Sequence, residues 1–86
     1  MFTKTDLKNG GVKENYIDDI MSIVPEYWTK FDDENVLMDN LKIDYIDAFD
    51  PKSIRQSVYM EALEKASKRN DLKEFRRIKK MMIENK

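Results

Sequence analysis

The sequence contains no cysteine and no histidine, and its two glycines stand together as Gly10 and Gly11. Without cysteine the chain forms no disulfide and has neither a zinc–thiolate site nor a thiol nucleophile. Without histidine it lacks the commonest general base and the commonest metal ligand. Two adjacent glycines do not make a phosphate-binding GxGxxG or Walker loop. We therefore expect a protein that is not an enzyme, with no catalytic residues and no cofactor.

Long hydrophobic runs are absent as well. The longest apolar stretches are three residues, as at residues 81–83. A membrane-spanning helix needs about 20 apolar residues, and the core of a secretory signal needs about 7–15. The lack of cysteine also suits a reducing compartment. The sequence predicts a cytoplasmic protein with no membrane partner.

The chain has 86 residues, enough for one small domain over residues 1–86, and its net charge is −1. Although the total is near neutral, the charge is distributed unequally between the two halves of the chain. Residues 1–50 hold 5 basic and 12 acidic residues, whereas residues 51–86 hold 11 basic and 5 acidic ones. The simpler interpretation is that the two halves attract each other as they pack. The alternative is that one half carries a surface for a charged partner.

Residues 1–14 contain few apolar residues and the Gly10-Gly11 pair, which predicts a flexible loop. Helical spacing of apolar residues begins after this segment, near Tyr16. Pro25 interrupts this stripe. Because proline lacks an amide donor and clashes with the preceding turn, we expect either a kink there or two separate helices. The stripe consists of Ile17, Ile20, Met21, Val24, Trp28 and Phe31.

Acidic caps mark the later helices. Residues 32–34 predict the start of a helix whose apolar positions run to Phe49. Apolar and polar residues alternate at residues 41–45, which would suit a strand, but the sequence offers no partner strand. Asp50-Pro51 is a strong helix start, and Asn70-Asp71 separates that helix from the last one. The sequence predicts an all-α fold, a small bundle of about four helices that ends in an αα-hairpin over residues 51–85.

Residues 59–64, Tyr-Met-Glu-Ala-Leu-Glu, resemble the hallmark run of the IDEAL domain, a short helical module. Downstream, Asp71, residues 73–74, Phe75 and Ile78 are similar to that family's Asp, acidic, Phe and Leu positions. The resemblance covers about a third of the chain. It implies a protein-interaction module of the kind found in small Gram-positive proteins. Residues 1–8 also look similar to the starts of small phage and Gram-positive proteins.

Aromatic and methionine side chains are the candidate anchors for a protein partner. Tyr27, Trp28 and Phe31 cluster after the proline, and such residues are enriched at binding hot spots. The alternative is that they pack in the core, which their spacing also suits. Met60 and Met81 fall off the apolar stripes of their helices, so we expect them to be exposed. Methionine is common on adaptable binding surfaces, although it also fills gaps in cores.

A basic group near the C-terminus is the candidate site for nucleic acid or an acidic partner. It consists of Arg69, Lys73, Arg76, Arg77 and Lys80. The acidic first half, a pI near 5.5 and the lack of interleaved aromatic residues argue against nucleic acid. The acidic groups at residues 32–39 and 44–50 lack the ligand spacing of a calcium loop, so no metal site is predicted.

The sequence therefore favours a non-enzymatic protein–protein interaction module. It would act as a small regulator, adaptor or inhibitor, including a phage-encoded inhibitor of a host enzyme or of a defence system, such as an anti-CRISPR. Two alternatives stay open. The basic hairpin could bind DNA or RNA, or the oppositely charged halves could join copies of the chain head to tail in a homo-oligomer.

Overall fold

The computed structural model describes residues 3–85 and is all-α, which confirms the predicted fold class. Within these residues the only β feature is an isolated antiparallel bridge between Val12 and Phe49. Single 3-10 turns form at Glu14–Tyr16, Ile46–Ala48 and Pro51–Ser53. The five α-helices are α1 (Lys4–Asn9), α2 (Ile17–Trp28), α3 (Glu34–Asp44), α4 (Gln56–Lys68) and α5 (Leu72–Glu84).

Helix α1 corrects the loop predicted over residues 1–14, of which residues 1 and 2 lie outside the described part. The Thr3 hydroxyl accepts a hydrogen bond from the Asp6 amide at 3.2 Å, and the Asp6 carboxylate accepts one from the Thr3 amide at 2.9 Å. This reciprocal capping box stabilises the start of a helix. Leu7 is fully buried, so α1 docks on the core through a single side chain.

Helix α2 runs through Pro25 without a break, so of the two alternatives at this position the single helix forms and the two separate helices do not. Ile20 and Val24 before the proline and Tyr27 after it are all buried, whereas Pro25 itself is exposed. Continuing the helix keeps both parts of the apolar stripe against the core. That burial favours one helix despite the amide that proline lacks.

The segment after α3 departs from the helix predicted to reach Phe49. Asp33 caps α3 as expected, accepting from the amides of Asn35 at 2.7 Å and Val36 at 3.2 Å. Tyr45 then leaves the helical conformation, with φ −128° and ψ 51°. The next residues form the 3-10 turn Ile46–Ala48. The apolar pattern identified buried residues here, but it did not identify the backbone that carries them.

The C-terminal hairpin is confirmed, although its first helix starts at Gln56 and not at Pro51. Asp50 caps only the 3-10 turn Pro51–Ser53, accepting from the Lys52 amide at 3.0 Å. The chain then extends through buried Ile54 before α4 begins. At the hairpin bend Asn70 has φ 58°, and the Asp71 carboxylate accepts from the Glu74 amide at 3.1 Å. Such a cap stabilises the start of α5.

The two halves of the chain are joined by ion pairs as well as by the core. Among residues 3–85, three basic side chains of the second half reach acids of the first. The pairs are Arg55–Asp39 at 2.7 Å, Lys65–Asp44 at 2.5 Å and Arg77–Asp47. This supports the interpretation that opposite charges face each other as the halves pack. Because such pairs lie near the surface, they orient the elements more than they stabilise them.

Candidate protein-binding cleft

The predicted aromatic anchors are mostly part of the core. Tyr27 is buried, and its hydroxyl donates a 2.5 Å hydrogen bond to Asp44, which agrees with the core alternative for this residue. Trp28 and Phe31 are half-buried and pack against the core. The spacing that suggested a binding cluster is the spacing of the α2 core stripe, which the fold uses for packing.

The two methionine candidates behave differently. Met60 is exposed over 58% of its surface, as predicted. It borders a groove of about 560 Å³ between α4 and α5, beside Leu63 and Phe75. Met81 is only half-exposed, which corrects its prediction: it packs against the core, and its sulfur lies 3.8 Å from a guanidinium nitrogen of Arg77.

The five basic candidates do not form one face. Arg69, Lys73, Arg76 and Lys80 are exposed. Arg77 is only partly exposed, and its guanidinium instead binds the carboxylates of Glu74 and Asp47. It therefore lies in another part of the surface, where it is already neutralised.

Arg77 reaches into a surface cleft of about 550 Å³ that sequence analysis did not identify. This acidic cleft lies between the start of α2, the segment after α3 and the first turns of α5. Its lining consists of Tyr16, Asp19, Ile20, Ser22, Ile23, Asp44, Tyr45, Ile46, Asp47, Ala48, Glu74 and Arg77. The volume is in the range of sites that bind small ligands or a few side chains.

The acidic cleft combines an apolar floor with two aromatic side chains. Ile20, Ile46 and Ala48 are buried and form part of the lining. Tyr16 and Tyr45 also line the cleft and are 36% and 42% exposed, so each is partly open to solvent. Rings held this way supply large contact area at little cost in conformational entropy.

Backbone hydrogen bonds hold the wall at residues 44–50 in place. The Tyr45 amide donates to the Leu41 carbonyl at 2.8 Å, and the Ala48 amide donates to the Tyr45 carbonyl at 2.9 Å. Next to the bridge between Val12 and Phe49, the Lys13 amide donates a 2.8 Å hydrogen bond to the Ala48 carbonyl. Because this wall is tied to both α3 and the N-terminal segment, the cleft is formed before any ligand arrives.

The charge of the acidic cleft is negative. Its lining contains four carboxylates and one guanidinium. Asp44 is partly compensated from outside by Lys65, whereas Asp19 forms no ion pair with any of residues 3–85. The hydrogen bond to Glu74, followed by that to Asp47, raises the pKa of Arg77, which keeps this guanidinium charged. The cleft thus suits a ligand that carries positive charge beside apolar groups.

Burial, with the hydrogen bond to Asp44, raises the pKa of Tyr27 well above its usual value. Tyr27→Phe is expected to lower the free energy of unfolding by about 1–3 kcal/mol at neutral pH. Above pH of about 10 the unfolded tyrosine loses its proton while the folded one keeps it. The stabilisation by Tyr27 is therefore complete below that pH and is lost as pH rises through the folded pKa. Urea unfolding of both proteins between about pH 8 and 11 checks this; an unchanged difference would contradict it.

Comparison of the chain with protein-family models, curated proteins and solved structures finds no match. The resemblance to the IDEAL domain therefore stays a prediction. The carboxylates of residues 3–85 form no group of three or more that could hold a metal ion. Each helix in that range is too short or too polar to cross a bilayer.

The acidic cleft was not predicted from the sequence, because its lining comes from three separate segments. Tyr45 fell on the apolar stripe of the predicted helix, although its side chain is exposed. Asp44 and Asp47 were considered only within the acidic group at residues 44–50, as candidate metal ligands. The pairing of Asp47 with Arg77, 30 residues later, is what brings α5 to the cleft.

Proposed function

We propose that this protein is a non-enzymatic protein-binding module whose docking site is the acidic cleft. A partner segment would place an apolar side chain on the floor, between Tyr16 and Tyr45, and a lysine or arginine beside the carboxylates. Occupation of that partner surface is how the protein would act as an adaptor, regulator or inhibitor.

One observation carries the proposal: exposed tyrosine rings border a preformed apolar floor within a negatively charged rim. An apolar centre with aromatic anchors and a polar rim is the usual anatomy of a protein interface. The groove beside Met60 has a similar volume, but its lining contains two acids and one lysine and no tyrosine. The acidic cleft is therefore the better candidate.

Binding of DNA or RNA through α5 is the second candidate function. It is supported by Lys73, Arg76 and Lys80, which are exposed on one side of this helix. Arg77 does not support nucleic-acid binding, because its guanidinium is paired with Asp47 and Glu74. Because phosphate contacts release counterions, such binding would weaken steeply with salt and would not depend on Tyr45.

A phage-displayed library of random peptides, selected against the whole protein, tests the proposed site. The enriched peptides are expected to carry lysine or arginine next to a large apolar residue. Tyr45→Ala should weaken binding of a synthetic copy of one such peptide at least about tenfold, because aromatic anchors dominate interface energies. Isothermal titration calorimetry measures this change.

The matched control is Val36→Ala, since Val36 is an exposed apolar residue of α3 that does not line the cleft. Its peptide affinity should stay within about twofold of the original. Circular dichroism establishes that both variants fold. Enriched peptides without basic residues, or equal affinities for both variants, would overturn the proposal.

A further inference from the structure

The outer side of α5 carries a second charged surface of opposite sign. Its exposed residues are Leu72, Lys73, Arg76, Lys79, Lys80 and Ile83, which we name the basic ridge. Leu72 and Ile83 are 64% and 61% exposed, unusual values for large aliphatic side chains. Lys80 has one weak contact, 4.0 Å from Glu84 of the next turn. Within residues 3–85, the other three cations of the ridge form no ion pair.

The basic ridge and the acidic cleft lie on different sides of the same helix. At about 100° per residue, Leu72, Arg76 and Ile83 fall within about 40° of one another around α5. Glu74, which lines the cleft, lies about 160° from Arg76. A copy of the protein therefore presents the two surfaces in different directions, and its own ridge does not fill its own cleft.

We infer that the partner segment of the acidic cleft is the basic ridge of a second copy of this chain. This inference rests on the proposed function of the cleft, to which it assigns an occupant. Arg76 and its neighbouring lysines would face Asp19 and the other carboxylates of the rim. Leu72 or Ile83 would contact the apolar floor between the two tyrosines.

Charge complementarity favours this occupant. The ridge has four cations and no acid, whereas the lining of the cleft has four acids and one cation. The net charge of the whole chain is only −1, so copies repel each other little at long range. Exposed Leu72 and Ile83 add apolar contact area that a phosphate backbone would not use, which favours a protein over nucleic acid.

The contact joins two different surfaces, so it is heterologous. Each copy keeps one unused ridge or cleft, and assembly continues into a ring or an open chain. Charge reversal of the cleft in one variant and of the ridge in another should weaken assembly of each variant alone, whereas their mixture joins opposite charges at both contacts. That property provides a direct test.

Sedimentation equilibrium of the full chain gives the mass at increasing concentration, at about 50 mM and about 500 mM NaCl. At low salt the mass is expected to rise above the 10.3 kDa of one copy, and at high salt to return to it. Asp19→Lys reverses one charge of the cleft and Arg76→Glu reverses one charge of the ridge. Each should weaken self-association at least about tenfold. An equimolar mixture of the two variants should associate again, because each contact between unlike variants joins opposite charges.

Two controls make the same charge changes elsewhere. Asp18→Lys alters the neighbouring residue of α2, which pairs with Lys4 and does not line the cleft. Lys68→Glu alters the other helix of the hairpin. Both should associate as the original protein does.

A monomer at every concentration, or assembly that survives both Asp19→Lys and Arg76→Glu, would overturn the inference. A monomer that still binds the selected peptide through Tyr45 would overturn it while leaving the proposed function intact. Retention of a DNA duplex of about 20 base pairs, lost in Arg76→Glu and without self-association, would assign the ridge to nucleic acid instead.

Discussion

Gly11→Ala is expected to lower the free energy of unfolding by about 2–5 kcal/mol. Gly11 has φ +99°, which residues with a side chain rarely adopt. A Cβ atom there would also overlap Oγ and Cβ of Ser53. Both the strain and the overlap act on the segment that accepts the 2.7 Å hydrogen bond from the Asp50 amide. Urea unfolding followed by circular dichroism measures the loss.

Gly10→Ala is the matched control, because it makes the same change one residue earlier. Gly10 has φ −79°, within the ordinary helical region. Its added Cβ would lie 2.8 Å from Cε of Met38, the end of a flexible side chain that can move aside. This variant should lose much less stability. Equal losses for the two variants would contradict the account of Gly11.

Phe49→Ala is expected to cost about 3–5 kcal/mol of unfolding free energy. Phe49 is fully buried, and the Lys42 ammonium lies 5.9 Å from its ring centroid. It anchors the segment that forms the wall of the acidic cleft. Because a chain of this length is stable by about 4–13 kcal/mol, the variant loses a large share of the total.

Val36→Ala, at an exposed position, is again the matched control, and chemical denaturation measures the loss of stability in both variants. Val36→Ala removes apolar atoms that contact water, so its free energy of unfolding should change by less than about 0.5 kcal/mol. A loss at Phe49 no larger than that would show that the 44–50 segment does not depend on the core. The cleft would then not be preformed.

The starts of α3 and α5 were predictable because they depend on local chemistry. Asp33 and Asp71 each cap a helix, and in each case the acidic residue in the sequence was sufficient to locate it. The start of α4 was predicted too early from Asp50, because the Asp50 carboxylate forms the same kind of capping hydrogen bond at the start of a 3-10 turn. A cap specifies that a turn begins, but packing of the next residues decides how far the turn continues.

Helix α1 and the acidic cleft were not predictable for a different reason. Helix α1 has one buried residue, Leu7, which is too few to make a periodic pattern. The cleft depends on contacts between distant segments, above all Arg77 with Asp47. Opposite charges in the two halves indicated that such contacts exist, but not which residues form them.

NMR titration of the ¹⁵N-labelled protein with a selected peptide locates the docking site residue by residue. The account predicts that the largest amide shift changes occur in the lining of the acidic cleft, at Asp19, Ile23 and residues 44–48. It predicts small changes around Met60 in the α4–α5 groove. Changes centred on that groove, with residues 44–48 unaffected, would contradict the claim that the acidic cleft is the docking site.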